Sequence, residues 1–213
     1  MNKLAIIGAG GHARSVIDLF QQMNEYEIIG CLDPCYKVQK TVSHMQNMPI
    51  IGDDSLLESL SQKGIEYAFV ALGDNKKREK MMRMAKRYSL KLATAISPGA
   101  YISPNASIGE GSCIMAGAVL NVNCAIGKGV IINTNASIDH DCKIGNYVHI
   151  APGTAISGYT TIEEGTHIGT NAAVIDGIHI GKWSYIGAGA VVVKDLSDHV
   201  MAYGVPARFI KYL

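Results

Sequence analysis

The clearest pattern in the chain is an aliphatic residue at every sixth position of its second half. The pattern begins at Ile102 and keeps its phase without an insertion as far as Val192. Its members are Ile102, Ile108, Ile114, Leu120, Ile126, Ile132, Ile138, Ile144, Ile150, Ile156, Ile162, Ile168, Val174, Ile180, Ile186 and Val192. A small or β-branched residue precedes each member by two positions, as Ala106 precedes Ile108. This alternation predicts a series of short strands, each with one buried face.

The polar positions of the repeat predict a corner after each strand. The third residue after each aliphatic position is usually Gly, Asn or Asp, as at Gly117, Asn135 and Asp141. Because these residue types tolerate a positive φ, they suit a turn at a fixed phase. Strands and corners that alternate in this way are typical of the hexapeptide form of β-helix, in which three hexads close one triangular coil. The run therefore predicts roughly five coils in an all-β prism roughly 25 Å tall, with a continuous core.

The part of the chain before residue 90 has a different pattern, in which apolar strands alternate with amphipathic helices. The predicted strands are 3–7, 27–32 and 67–72, and the predicted helices are 16–23, 54–62 and 76–87. This alternation predicts a small parallel sheet, whose ligands lie at the carboxyl ends of the strands. We therefore expect an α/β Rossmann-like half-domain over residues 1–90. The prism would then occupy residues 91–213, with a capping tail after Val192.

A glycine-rich turn, Gly8 to Ala13, follows the first predicted strand, and Asp33 comes about twenty residues later. This arrangement matches the dinucleotide fingerprint, in which bare backbone N–H groups and a helix N-terminus favour a diphosphate. Only one βαβαβ unit precedes the repeat, which is half of a dinucleotide fold, so we expect a single nucleotide diphosphate. A tight turn without a ligand is the alternative. His12 either hydrogen-bonds a substrate or caps the turn.

Charge and composition narrow the class of partner. The net charge is +1 and basic residues do not cluster, so nothing favours nucleic acid or an anionic membrane. No apolar stretch approaches the roughly 20 residues of a membrane span, and the start is too short for a signal peptide. The five cysteines have no paired spacing, and Cys31 and Cys35 lack a second ligand pair for zinc. We expect a cytoplasmic protein.

A histidine between two acids, Asp139-His140-Asp141, stands on a corner of the repeat and is a candidate general base. Histidine side chains in general change their charge near neutral pH, and a carboxylate can fix the tautomer of the ring. The alternative is an exposed structural histidine, with Asp141 serving only the corner. Gly158 lies one coil further on and would leave a bare groove beside His140, where a thin chain could lie.

The other histidines lie on the outward strand positions. His149 and His167 are predicted to stack on one face, with Tyr185 above them. His140 and His149 are half a coil apart, so they could share a site only if they came from neighbouring subunits. His149, His167 and His179 do not converge within one chain, so we expect no metal.

Three motifs together indicate a family. They are the glycine turn with Leu32-Asp33 and Gly73-Asp74-Asn75, the repeat motif Ile138 to Cys142, and the terminal Gly204 to Arg208. A chain with these motifs resembles the sugar acyltransferases of the bacillosamine type, whose relatives include GDP-perosamine N-acetyltransferases and sialic acid O-acetyltransferases. The resemblance implies a left-handed parallel β-helix and a homotrimer with active sites between subunits. It also implies acetyl-CoA as co-substrate, and a UDP- or GDP-linked amino-dideoxy sugar as acceptor in surface glycan or glycoprotein synthesis.

The resemblance also implies roles for individual residues. His140 corresponds to the general base, Asp141 to the acid beside it, and Asn133 to a polar residue lining the acetyl pocket. The positions implied to contact acetyl-CoA are His149, Gly158, Thr170, Ala188 and Gly189. The coenzyme phosphates are expected near Lys194. The positions implied to hold the nucleotide sugar are Gly10, Gly11, His12, Asp33 and Gly73. Many relatives carry a second acid after Asp33, where this chain has Pro34, so the nucleotide stays open.

The expected mechanism is direct transfer. His140 removes a proton as the sugar nitrogen attacks the thioester, and backbone N–H groups stabilise the oxyanion, without an acyl-enzyme. Three other functions stay open. These are sialic acid O-acetylation, nicotinamide-dependent chemistry, which the missing second half-domain disfavours, and non-catalytic binding of a nucleotide sugar.

Overall fold

The chain forms two compact units. The computed structural model describes residues 1–34, 44–45 and 48–213, and Cys35 lies outside these residues. The units are Met1–Ala95 and Ile96–Leu213. The division falls a few residues beyond residue 90, because Lys91–Leu92 forms a strand that pairs with Tyr67 and Ala68 of the first unit.

The first unit contains a mostly parallel sheet with helices. Its strands are β1 (Asn2–Ile7), β2 (Tyr26–Leu32), β3 (His44–Met45), β4 (Met48–Gly52), β5 (Tyr67–Val70) and β6 (Lys91–Leu92). Its helices are α1 (Gly11–Met23), α2 (Leu57–Leu60) and α3 (Asn75–Arg87), with 3-10 turns at Asp54–Leu56 and Ser61–Lys63. The strand order among the described residues is β3-β4-β2-β1-β5-β6, and only β3 runs antiparallel. The α/β prediction is confirmed.

The burial of β1 agrees with its position inside the sheet, between β2 and β5. Strand β1 ends in four successive buried apolar residues, Leu4 to Ile7, as a parallel strand covered on both faces requires. Helix α1 buries one apolar face that includes Val16 and Phe20. Helix α3 begins at Asn75, where the carboxylate of Asp74 accepts a hydrogen bond from the backbone N–H of Lys77 at 2.9 Å. In the part of the chain that is described, no helix is long and apolar enough to cross a membrane.

The second unit is a prism with three faces, each a parallel sheet of two-residue strands. The first face holds β7 (Ala95–Ile96), β10 (Cys113–Ile114), β13 (Ile131–Ile132), β16 (His149–Ile150), β19 (His167–Ile168) and β22 (Tyr185–Ile186). The second face holds β8 (Tyr101–Ile102), β11 (Val119–Leu120), β14 (Ser137–Ile138), β17 (Ala155–Ile156), β20 (Ala173–Val174) and β23 (Val191–Val192). The third face holds β9 (Ser107–Ile108), β12 (Ala125–Ile126), β15 (Lys143–Ile144), β18 (Thr161–Ile162) and β21 (His179–Ile180). The hexapeptide β-helix prediction is confirmed.

The prism core consists of the predicted aliphatic series and the small residues before it. Ile132, Ile138 and Ile150 are fully buried, and Cys124 and Cys142 fill inward positions as small thiols. Three threonines also point inward at the same phase. The hydroxyls of Thr154, Thr160 and Thr166 each donate to a backbone carbonyl oxygen of the next coil, at distances of 2.6 to 3.2 Å. Their polar groups are therefore satisfied inside the core.

The corner residues adopt the predicted positive φ, and at three corners the residue is not Gly, Asn or Asp. Asn135 and Asp141 have φ of 56° and 58°, as their types allow. Tyr147, Tyr159 and Trp183 adopt the same left-handed conformation at the same phase, although their side chains disfavour it. A Cβ built on the preceding coil at Gly165 would collide with the Trp183 ring. The ring therefore covers that glycine and packs on its bare backbone.

Replacing Gly165 with alanine should lower the free energy of unfolding by about 2–5 kcal/mol. The left-handed φ costs an alanine about 1–2 kcal/mol, and displacement of the Trp183 ring costs about 1–3 kcal/mol. Urea denaturation measures the loss. Gly177→Ala is the matched control, because Gly177 has the same φ of +70° and nothing lies within 4 Å of its built Cβ. Equal losses in the two variants would show that the Trp183 contact contributes nothing.

The tail beyond the last hexad extends the first face. Strand β24 (Val200–Tyr203) pairs in parallel with β22, and β25 (Arg208–Tyr212) returns antiparallel to β24. Both strands lie outside the six-residue repeat, so the repeat did not predict them. Strand β24 hydrogen-bonds to β22, the last repeat strand of that face, and β25 then covers β24.

Candidate active site

His140 is fixed at a corner between the second and third faces, directly after β14. Its backbone N–H donates to the carboxylate of Asp139 at 2.8 Å. Its ring atom Nδ1 lies 3.0 Å from Oδ2 of Asp141. The side chain is 40% exposed, so part of the ring is open to solvent. Asp139 therefore holds the main chain of His140, and Asp141 holds its ring.

The ring of His140 rests on a glycine of the next coil. A Cβ built on Gly158 would lie 2.6 Å from Cε1 and 2.7 Å from Nε2 of His140. The ring of Tyr159 meets the imidazole edge-on, with centroids 5.0 Å apart. Gly158 is thus required for the ring position, and the groove predicted beside His140 is filled at this point by the imidazole itself.

The charge of Asp141 sets the tautomer of His140. Hydrogen bonds from Asn123 and then from His140 hold the pKa of the Asp141 carboxyl below its usual value. An ionised carboxylate can only accept, so the neutral imidazole carries its proton on Nδ1, where Asp141 accepts it. The lone pair is left on Nε2. This is the arrangement that a general base needs.

A second cluster lies along the outward side of the first face. The rings of His149 and His167 are 4.7 Å apart edge-to-face, and His167 stacks on Tyr185 at 4.7 Å. The amide of Asn133 lies 3.2 Å from Nε2 of His149. The predicted stack of His149, His167 and Tyr185 is therefore confirmed, and Asn133 belongs with this stack.

The predicted donor-binding residues fall on two corners of one prism. Thr170, Ala188 and Gly189 are exposed at the corner between the first and second faces, where Asn133 also lies. Gly158 lies with His140 at the corner between the second and third faces. Lys194 is exposed just after β23. The structure therefore groups Asn133 with most of the positions predicted to bind the donor, and separates this group from His140 within a protomer.

The first unit has a cavity of about 370 Å³ where its parallel strands end. Its lining residues are Ile7, Gly8, Leu32, Asp33, Pro34, Asp54, Leu72, Lys77, Lys80 and Met81. Asp33 Oδ2 accepts a hydrogen bond from the backbone N–H of Ala9 at 3.1 Å, which ties the end of β2 to the glycine turn. A Cβ at Gly10, Gly11 or Gly73 would meet nothing within 4 Å, so these backbones face open space. The turn leaves room for a ligand.

His12 lies in the first turn of α1 with a buried, unpaired nitrogen. Its Nε2 has no hydrogen-bond partner among the described residues. Burial, and next the charge of Arg78, lower the pKa of His12 to about 4, so the ring is neutral near pH 7. The N-cap of α1 is Gly10, with no side-chain capping bond. His12 Nε2 is thus enclosed beside the turn without a hydrogen-bond partner among the described residues.

The described residues contain no group of three or more His, Cys, Asp or Glu side chains arranged to hold a metal ion. Sequence reasoning did not single out Asn123 and Tyr159, which contact Asp141 and His140 respectively. Both residues could have been found from their spacing, because each lies eighteen residues from Asp141. Corner residues one coil apart stack on each other in this fold.

Comparisons with known proteins agree with this architecture. Residues 3–85 match the PglD N-terminal domain, and residues 123–158 and 159–194 match the bacterial transferase hexapeptide family of six repeats. PerB from Caulobacter crescentus, solved with CoA and GDP-perosamine, is 38% identical with a TM-score of 0.93, over 99% of this chain and 98% of that chain. The acetyltransferase domain of PglB from Neisseria gonorrhoeae, solved with acetyl coenzyme A, is 40% identical with a TM-score of 0.91, over 99% and 100%.

A viral protein shares part of the chain. Uncharacterized protein L142 of Acanthamoeba polyphaga mimivirus is 35% identical over 109 residues, which are 51% of this chain and 20% of that longer protein. An α/β domain joined to a left-handed hexapeptide β-helix defines the class of hexapeptide-repeat acyltransferases. Within that class, the chain belongs to the family of nucleotide-sugar acetyltransferases that includes PerB and PglB.

Proposed function

We propose that the protein transfers acetyl from acetyl-CoA to the 4-amino group of a nucleotide-linked amino-dideoxy sugar, for surface glycan or glycoprotein synthesis. The observation that carries this proposal is the His140–Asp141 pair, held over Gly158 with Nε2 free to accept a proton. The similarity to PerB, solved with CoA and GDP-perosamine, supports both substrates. We propose that the reaction takes place in the cytoplasm.

The residues of the prism account for a direct transfer. The sugar nitrogen attacks the thioester carbon and forms the C–N bond, while His140 Nε2 takes a proton from that nitrogen. Collapse of the tetrahedral species breaks the C–S bond, and the coenzyme leaves as the thiol when the proton is returned to sulfur. Asp141 stabilises the imidazolium in between. An amine is already a nucleophile, so the main contribution of the site is positioning.

The first unit supplies the features that a nucleotide sugar needs. The open backbone of the glycine turn and the N-terminus of α1 favour a diphosphate. Lys77 and Lys80 add positive charge at the cavity wall. Asp33, at the cavity wall, offers a carboxylate to a hydroxyl or a base edge. Either UDP or GDP would satisfy these contacts.

A panel of acceptors tests this function. Acetyl-CoA consumption is measured with UDP- and GDP-linked 4-amino sugars, the matching free amino sugars and sialic acids. We expect turnover with a nucleotide-linked amino sugar alone. Turnover only with sialic acid would make the protein an O-acetyltransferase. Binding of nucleotide sugars without any turnover would make it a binding protein, and reduction or oxidation of a nicotinamide cofactor would overturn the proposal entirely.

We also propose a homotrimer in which each site combines His140 of one subunit with His149 of the next. Within one prism His149 lies on the first face and His140 at the corner between the second and third faces, which supports this assembly. His140→Ala and His149→Ala should each lose most activity alone. Co-expression of the two variants in equal amounts should restore about a quarter of the wild-type activity, because about one site in four then has both histidines intact. No recovery above the single variants would contradict a shared site.

A further inference from the structure

Asn123 lies one coil below Asp141, at the same corner and in the same left-handed conformation. The φ angles of the two residues are 60° and 58°. The side-chain amide of Asn123 donates to Oδ1 of Asp141 at 3.1 Å, while Oδ2 of that carboxylate lies 3.0 Å from His140 Nδ1. Both oxygens of Asp141 are therefore engaged, one by the coil below and one by the imidazole.

A neighbouring pair repeats the same design. The amide of Asn121 donates to Oδ1 of Asp139 at 2.9 Å, and this oxygen also accepts the backbone N–H of His140. Each acid beside His140 is thus oriented by an asparagine of the previous coil. The Asn121 bond fixes the main chain, whereas the Asn123 bond acts on the ring.

We propose that Asn123 is a positioning residue for acetyl transfer, which holds Asp141 in the orientation that keeps Nε2 of His140 ready to accept a proton. A carboxylate bound only by the ring could rotate about its Cβ–Cγ bond and release Nδ1. The amide of Asn123 restrains that rotation through the second oxygen. Because an amide N–H can only donate, it also favours the ionised form of Asp141.

The left-handed backbone makes a clean substitution available. Glycine adopts this φ at no cost, so Asn123→Gly removes the amide and leaves the corner unstrained. Asn24→Gly is the matched control, because Asn24 has φ of 54° at the C-terminal end of α1, outside the prism. We expect Asn123→Gly to lower kcat about 10-fold with KM for acetyl-CoA within about twofold. Asn24→Gly should change neither.

Two further measurements separate positioning from a structural effect. The double variant Asn123→Gly/Asp141→Asn should be no slower than Asp141→Asn alone, because Asn123 acts through that carboxylate. In NMR titrations, Asn123→Gly should raise the pKa of Asp141 and lower the fraction of His140 with its proton on Nδ1. Three other titratable groups lie near Asp141, namely Asp139, Cys124 and Cys142, and the substitution leaves them unchanged. Losses that add in the double variant, or an unchanged titration, would overturn the proposal.

This inference rests on the proposed function, because it treats His140 as the base. The two fail in different ways. If His140→Ala keeps its turnover, the base assignment is wrong, whereas the NMR response of Asp141 to Asn123→Gly still reports whether the asparagine orients the carboxylate.

Discussion

Replacing His140 with alanine should lower kcat by roughly 10²–10⁴ and leave KM for acetyl-CoA within about twofold. The physical reason is the loss of Nε2, the atom that takes the proton from the attacking nitrogen. The fold should be unaffected, because the ring lies at a corner and is not part of the prism core. Steady-state kinetics at saturating acceptor measures the change, and circular dichroism checks the fold.

His179→Ala is the matched control for this variant. His179 is an outward histidine on the third face and pairs with Glu163 at 3.3 Å, away from the corner of His140. Its removal should leave turnover within about twofold. A His140→Ala enzyme that works at a near-normal rate would remove the base assignment and leave positioning as the whole of catalysis.

Replacing Gly158 with alanine should lower kcat about 100-fold. The new Cβ would lie 2.6 Å from Cε1 and 2.7 Å from Nε2 of His140, so the ring must move off its seat and lose its contact with Asp141. A displacement of about 1 Å in a catalytic group can cost about 10² in rate. Because Gly158 does not have a positive φ, its backbone accepts alanine, and the effect reports the ring position.

The control for Gly158→Ala is Gly99→Ala. Gly99 also lacks a positive φ, and its built Cβ meets only Ser97 Oγ at 3.7 Å, an ordinary contact. Gly99→Ala should keep full activity and stability. Crystallography or NMR of Gly158→Ala should show His140 displaced. Full activity with an undisplaced ring would mean that the close contact is not needed for catalysis.

Most of the prism could be predicted from the sequence, because the six-residue repeat reflects which side chains must be buried. An aliphatic residue at each sixth position must face inward, and Asn135 or Asp141 three places later suits a left-handed corner. The same register placed His149, His167 and Tyr185 in one stack, and separated His149 from His140. Local chemistry and global fold agree throughout this part of the chain.

The rest could not be predicted because it depends on contacts between coils and on strands without a period. Tyrosine is an unusual residue type at a left-handed corner, so its presence at position 159 did not predict a corner. The contact of its ring with His140 is seen only in the structure. The role of Asn123 was hidden because asparagine is also the ordinary corner residue. In the first unit, β4 and β6 are short strands whose apolar residues carry no periodic signal, and the unpaired nitrogen of His12 is a result of burial.

The parallel register of the prism limits how its length can change. Within the hexapeptide repeat each strand pairs with the strand eighteen residues later, as Cys113 pairs with Ile131. One residue added within a strand would turn every later side chain from interior to solvent, so insertions are tolerated only as excursions at corners. Whole coils can be removed without that penalty. A deletion of eighteen residues beyond Gly158 would therefore shorten the molecule and leave the imidazole seated on its glycine.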